Sequence, residues 1–412
     1  MYQLVEFISK KPVIANNLVF TGDHSPWEIL IDMAKAKAEL NLTEFKSIPP
    51  ALAKYLPLMP IKPTSEFVSL GEVATPLLKS KVLGKQLNLD LYFKLEGKNP
   101  TGSFKDRGSA VDISIAKQFS APAVILASTG NMAASCACYA AVAKIPCFVL
   151  VPEDVSLAKL AQLIAFGGLI VKIKGNYNDA AKLAEIIAKE MGFYLAGDYA
   201  FRVEGQKTAA FELIDQLSFQ TPDAVVVPIG CGTNIAAYAK GFSEYQQLGI
   251  IDKIPQLIGV QAQGSNAVVQ SYLQHQTEIH PLKTVNTIAS AIAVPNPIDG
   301  IKALNAIYTS QGTAIAVDDQ EILQAQHLLA SQEGLFVEPA SATTIAALKK
   351  LTGAEKLRNK KVICILTGDG LKDTEVILKT AVSPNTIYPD KQEFLAIYKS
   401  YTSRNLFPRG IH

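Results

Sequence analysis

From about residue 66 the chain alternates short runs of apolar residues with longer alanine-rich runs. The short runs "LDLYFKLE", "AVILAS", "PCFVLVP", "GLIVKIKG", "AVVVPIG" and "KVICILTG" read as strands. The runs "MAASCACYAAVAK", "YNDAAKLAEIIAKEMG" and "NIAAYAKGFSEYQQL" read as the helices between them. Strands that lack a polar face belong in parallel sheets covered by helices on both sides. The expected fold class is therefore α/β, with wound parallel sheets. Ahead of it, "SPWEILIDMAKAKAEL" predicts a helix capped by Ser25 with Pro26 in its first turn, and a proline-rich connector, "PLMPIKP", follows. The last stretch, from "SPNTIYPDKQEF" onward, reads as a terminal tail or docking helix.

Composition narrows the partners. With 412 residues, 49% of them hydrophobic, the chain can bury the cores of two lobes. Its 39 basic and 37 acidic side chains nearly cancel, leaving a formal charge of +2 and no long run of one sign. That argues against nucleic-acid and membrane-surface partners and for a small molecule. Five cysteines, an odd number without a CxxC pair, fit reduced thiols, a cytoplasmic setting and no bound metal. No uncharged apolar run approaches the ~18 residues of a membrane span, and the first residues lack the form of an export signal.

In wound sheets, ligands gather beyond the carboxyl ends of the strands. Four unusual loops leave strands there: "EGKNPTGSFKDRG", "STGN", "PIGCGTN" and "LTGDGLKD". In the third, Gly230, Cys231, Gly232, Thr233 and Asn234 lie between a strand and an alanine-rich helix, which aims free backbone N–H groups at an anion such as phosphate. A tight turn that needs glycine also explains this segment. Ile235 stands where a dinucleotide fingerprint has its third glycine, and no GxxxxGK[ST] occurs. In the first loop, Lys105 follows Gly102, Ser103 and Phe104 at the mouth of a helix. Positive dipole and little water there favour a nucleophilic amine able to form a Schiff base, although a lone lysine is ordinarily a solvated charge. Ser128, Thr129 and Asn131 suit either a second anion site or plain helix capping. Thr367 ends a strand with a hydroxyl that can meet a ring nitrogen without keeping it protonated.

The strings "KLEGKNPTGSFKDRG", "ASTGNMAASCACYAAVAKIPCFVLVPED", "RVEGQKTAAFELIDQL", "PIGCGTNIAAYAKGF", "EGLFVEPASATTIAAL" and "LTGDGLKD" occur in this order over about residues 50 to 380. Together they resemble the threonine synthase family of pyridoxal-phosphate enzymes, of fold type II. The resemblance implies a large cofactor domain at 66–105 and 205–385, a small domain at 106–204, an α-containing N-terminal extension at 1–65 and a tail at 386–412. It implies that Lys105 carries pyridoxal 5'-phosphate as a Schiff base and then moves protons along the substrate carbons. It further implies that Phe104 packs near the ring, Asn131 meets the phenolic oxygen, Gly230 through Asn234 hold the phosphate and Thr367 faces the ring nitrogen. Ser128, Thr129, Asn131, Met132 and Arg202 are the implied substrate contacts. The implied reaction converts O-phosphohomoserine and water to threonine and phosphate, in a monomer or homodimer.

The chain departs from the family pattern just before "EGQKT". Where the family has Asn-Ser-x-Asn-Pro-x-Arg, this chain reads "AGDYAFR": Ala196 and Gly197 bring no side-chain donor, Tyr199 replaces an asparagine, and Asp198 repels a dianion. Ala293 and Pro295 stand where Arg and Gly are usual, and Asp369 where His is common. The departures leave open replacement on O-phosphoserine or O-phosphothreonine with another nucleophile, as in cysteate or diamino-acid synthases. A serine or threonine dehydratase fits the strings less well. A non-catalytic amino-acid-binding protein would have no need of Lys105, Asn131 and Thr367 together.

Overall fold

The structure, a computed structural model, describes residues 2–403 except 16, 17, 21, 23, 24, 63, 156, 353–356 and 381–383. In its N-terminal part β1 (Tyr2–Glu6) pairs antiparallel with β2 (Trp27–Ile31), and α1 (Met33–Glu39) follows. The helix expected from Ser25 therefore starts seven residues late. Its cap is Asp32, whose side chain accepts from Lys35 N–H at 3.0 Å. The five residues after Pro26 gain a long-range ladder and bury Ile29 and its neighbour Val5 completely, which outweighs a local Ser-Pro start signal.

The wound part carries β3 (Leu77–Lys79), β4 (Asp90–Leu95), β5 (Val124–Ala127), β6 (Cys147–Pro152), β7 (Leu169–Ile173), β8 (Tyr194–Leu195), β9 (Ala224–Pro228), β10 (Gln256–Ala262), β11 (Thr313–Val317) and β12 (Lys361–Leu366). Two sheets result. The larger has the order β11-β10-β9-β12-β4-β3, parallel except for β3 at its edge, and the smaller has the all-parallel order β7-β6-β5-β8. The six apolar runs read as strands are β4, β5, β6, β7, β9 and β12.

Seven helices position the site: α2 (Lys105–Gln118), α3 (Asn131–Ala143), α4 (Ala200–Gln206), α5 (Thr208–Gln216), α6 (Thr233–Gln247), α7 (Gly300–Thr309) and α8 (Pro339–Thr352). The first of them, α2, is buried along nearly its whole length, packed against α3 and α4. Its backbone touches that of α4: a Cβ on Gly205 would lie 1.9 Å from the Arg107 carbonyl oxygen. Only glycine permits that approach.

A charge cluster sheltered from water fastens the start of α2. Arg107 donates from Nε and Nη2 to Glu96 at 2.7 and 2.8 Å and from Nη1 to Glu212 at 2.9 Å. Lys94 donates to Glu212 and, at 2.7 Å, to the Thr75 carbonyl. All four charged residues are fully buried. Burial by itself would raise the Glu96 and Glu212 carboxyls, but Arg107 and Lys94 outweigh it and hold both below the usual carboxylate range. Removing one partner of such a cluster strands the others.

Replacing Arg107 by leucine should therefore lower unfolding stability by roughly 3–5 kcal/mol, measured by urea titration. Because both carboxyls lie below their unfolded values, their contribution is complete at neutral pH. It is lost as the pH falls through the depressed range, so acid should unfold wild type at lower pH than the variant.

Candidate active site

Lys105 opens α2, and Phe104 N–H donates to the Thr367 carbonyl at 3.0 Å, so the turn before the helix is pinned to the end of β12. The Lys105 Nζ lies 4.9 Å from the centroid of the Phe104 ring. It donates to both oxygens of Asp198, at 2.9 and 3.3 Å. The amine is thus neither solvated nor alone among positive dipoles, since a carboxylate faces it. Burial would raise Asp198, but the charges of Lys105 and Arg202 overcome that and hold it below the usual carboxylate range.

The turn 230–234 joins β9 to α6. Gly232 has φ +94° and lies so close to the Asp299 carbonyl that a Cβ would come within 2.5 Å of that oxygen. In α6 the first backbone bond is Ala236 N–H to the Gly232 carbonyl, which leaves the preceding amides without a helical acceptor. Asn234 Nδ2 is buried without a hydrogen-bond partner. A glycine cradle, unused amides and an orphaned donor at the N-terminus of a 15-residue helix fit a phosphate group. The side chain of Cys231 reaches Asp198, which connects the turn to Lys105.

Asn131 opens α3 and donates from Nδ2 to both Glu338 oxygens, at 2.9 and 3.1 Å. Glu338 in turn lies against Gly368, where any Cβ would collide with its carboxylate at 1.9 Å. Thr367 Oγ1 is 3.1 Å from Ser341 Oγ. A cavity of about 660 Å³ opens beside these groups, lined among others by Thr101, Thr129, Asn131, Gln162, Glu338 and Lys372. Ser128 accepts from Gly130 N–H at 3.4 Å. The structure thus gathers Phe104, Lys105, Asn131, Cys231 and Thr367 through direct contacts or shared neighbours.

Met132 packs against the apolar core. Arg202 is fully buried and does not face the cavity: it reaches Asp112 at 2.9 Å, the Gly197 carbonyl at 2.8 Å, the Cys136 sulfur at 3.0 Å and the Lys105 carbonyl at 3.2 Å. With these donors engaged inside the protein, it braces the backbone of Lys105. Asp369 has a local task as well, accepting from Leu371 N–H at 3.0 Å and pairing with Lys98 at 3.1 Å. The altered loop has a steric logic: a Cβ on Gly197 would lie 2.4 Å from the Tyr199 ring, so the ring takes the space a serine side chain would need.

Sequence reasoning left Glu338 without a role and treated Asp198 only as a repellent of phosphate. Their partners are 207 and 93 residues away, and nothing local announces either pairing.

Comparison with known proteins agrees with this geometry. The family model for "Pyridoxal-phosphate dependent enzyme" matches residues 68–368. Threonine synthase of Methanocaldococcus jannaschii is 44% identical over 376 residues, covering 90% of this chain and 93% of that one. Threonine synthase of Mycobacterium tuberculosis is 41% identical over 347 residues, covering 83% and 94%. Among solved structures, threonine deaminase isoform 2 from Solanum lycopersicum superposes with TM-score 0.67 at 21% identity, covering 91% of this chain and 94% of that one. Maize serine racemase superposes with TM-score 0.64 at 22% identity, covering 80% and 93%. At such identities the two structures speak for the fold.

The cleft carries its own pH signature. Burial pushes the Glu338 carboxyl up to about 7, against the Asn131 amide and Lys372, which pull it down. Between the ordinary carboxylate range and that value, the folded protein keeps a proton the unfolded chain has released, so stability falls as pH rises through this window and levels off above it. Glu338→Gln stays neutral and should remove this term. The melting temperature of wild type should drop by a few degrees relative to the variant on going from acid to alkaline buffer, measured by calorimetry.

Proposed function

The chain belongs to the pyridoxal-phosphate dependent enzyme family, among its threonine synthases, and on that premise we propose that Lys105 is the point of covalent attachment for pyridoxal 5'-phosphate. The protein is a pyridoxal-phosphate-dependent lyase with threonine synthase activity. The observation that supports the assignment of Lys105 is its pairing with Asp198, which the side chain of Cys231 in the phosphate-fitting turn also reaches.

When bound, pyridoxal phosphate supplies an electron sink that lets protons leave and rejoin the carbons of an amino acid. The amides of Gly230 to Asn234 and the orphaned Asn234 Nδ2 would hold its phosphate. Asn131 Nδ2, steadied by Glu338, would donate to its phenolic oxygen, and the Thr367 hydroxyl would meet its ring nitrogen. A hydroxyl in that place, unlike a carboxylate, tempers the sink and favours elimination over transamination. Phe104 would pack beside the ring, and the turn holding Ser128 and Thr129 would receive the substrate carboxylate at the start of α3.

Lys105 then works as the proton carrier. Its Nζ takes protons from Cα and Cβ as phosphate leaves from Cγ of O-phosphohomoserine, and returns protons to Cγ and Cα as water adds its hydroxyl at Cβ. One flexible amine near the whole carbon skeleton serves every transfer. Arg202 contributes by fixing the backbone carbonyl of Lys105.

The larger sheet with 66–105 and 205–385 would form the cofactor domain and 106–204 the small domain, with 1–65 as the extension and 386–412 as the tail. The C-terminal part of that tail lies outside the described residues. A monomer or homodimer working in the cytoplasm accords with this reading, and no helix among the described residues is long and apolar enough to cross a membrane.

Cofactor-loaded protein given O-phosphohomoserine should release phosphate and form threonine, followed by phosphate assay and amino-acid chromatography. Lys105→Ala should lower kcat by at least about a thousandfold while the protein stays folded. Phosphate release from O-phosphoserine or O-phosphothreonine alone would contradict the substrate assignment.

A further inference from the structure

We propose that Asp198 is the counter-ion that holds the Lys105 amine whenever that amine is free, and so acts as a positioning residue for its proton transfers. The inference deepens the functional reading above and rests on it for the role of Lys105.

Geometry carries it first. Both Asp198 oxygens lie within hydrogen-bond reach of Nζ, at 2.9 and 3.3 Å, with 16% of the lysine side chain and 6% of the aspartate side chain exposed. A buried ion pair of this kind is not a surface accident.

The carboxylate is also held where it is. Ala196 N–H donates to the Ile125 carbonyl at 3.0 Å, and the Gly197 carbonyl accepts from Arg202 Nε at 2.8 Å. The Tyr199 ring closes the other side by lying over Gly197. The loop that lacks those amide and hydroxyl donors thus carries a fixed negative charge opposite the amine. Arg202 and Cys231 also face that charge, while Asp112, Asp299, Tyr177 and Tyr199 lie in its field.

The chemistry needs such a group. Between taking a proton from one substrate carbon and giving it to the next, Lys105 Nζ is an ammonium in a cleft poor in water, which disfavours charge. Asp198 offsets that penalty by attraction at short range. It does not take the proton, because Lys105 and Arg202 favour its ionised form. The proton passes from Cα to Nζ and onward, and Asp198 begins and ends as a carboxylate.

Asp198→Asn keeps the shape and removes the charge. In the cofactor-free variant, acetic anhydride should acetylate Lys105 about tenfold faster than in wild type at neutral pH, with the exposed Lys174 as internal reference. Peptide mass spectrometry reads both sites. In the loaded variant kcat should fall about tenfold with KM unchanged, and Asp198→Glu should restore part of it. If the asparagine variant does not fold, Asp198→Ser takes its place with the same readouts. Lys105 acetylated at the wild-type rate in a folded variant, or kcat left intact, would overturn the proposal. Wild-type protein that made no threonine would instead defeat the functional reading, and the labelling of cofactor-free protein would still judge Asp198.

Discussion

Arg107 binds the first turn of α2 to the end of β4 and to α5 through Glu96 and Glu212, out of contact with water. Two residues earlier on the same turn stands Lys105. A lysine that must reach several substrate atoms needs a mobile side chain on an immobile backbone, and this cluster supplies the immobility. Arg202 adds to it from the other side, gripping the Lys105 carbonyl while its charge is taken up by Asp112. The price of two buried guanidinium groups is met by acids placed within 3 Å of each.

On that base the two sheets bring their loops together. From the larger come the Lys105 turn after β4, the glycine cup after β9 and the Thr367 turn after β12. From the smaller come the Asn131 turn after β5 and the Asp198 loop after β8. Each pairing across the cleft joins one sheet to the other: Lys105 with Asp198, and Asn131 with Glu338. A small-molecule site at the carboxyl ends of parallel strands follows from this topology, because there loops from both sheets meet.

Much of this was legible in the residues. Fully apolar runs named the parallel strands, since a strand covered on both faces has no reason to alternate. The glycine and hydroxyl strings named the loops, since close backbone approach demands those residue types. What stayed hidden depended on distance along the chain. Trp27 to Ile31 join a strand 25 residues earlier, which no local capping signal at Ser25 could reveal. Arg202 pairs with Asp112, which reads in the sequence as an ordinary residue in the middle of a helix. Asp198 and Glu338 acquire their roles only when folding brings remote partners to them.

The account stands on one covalent assignment, and borohydride reduction of the cofactor-loaded protein followed by peptide mapping tests it most directly. The account predicts the reduced cofactor on Lys105 and on no other lysine. Finding it on Lys372, whose amine in this structure is engaged by the Thr101 carbonyl at 2.7 Å at the wall of the cavity beside Asn131 and Glu338, would contradict it. So would a protein that binds the cofactor and yields no modified peptide at all.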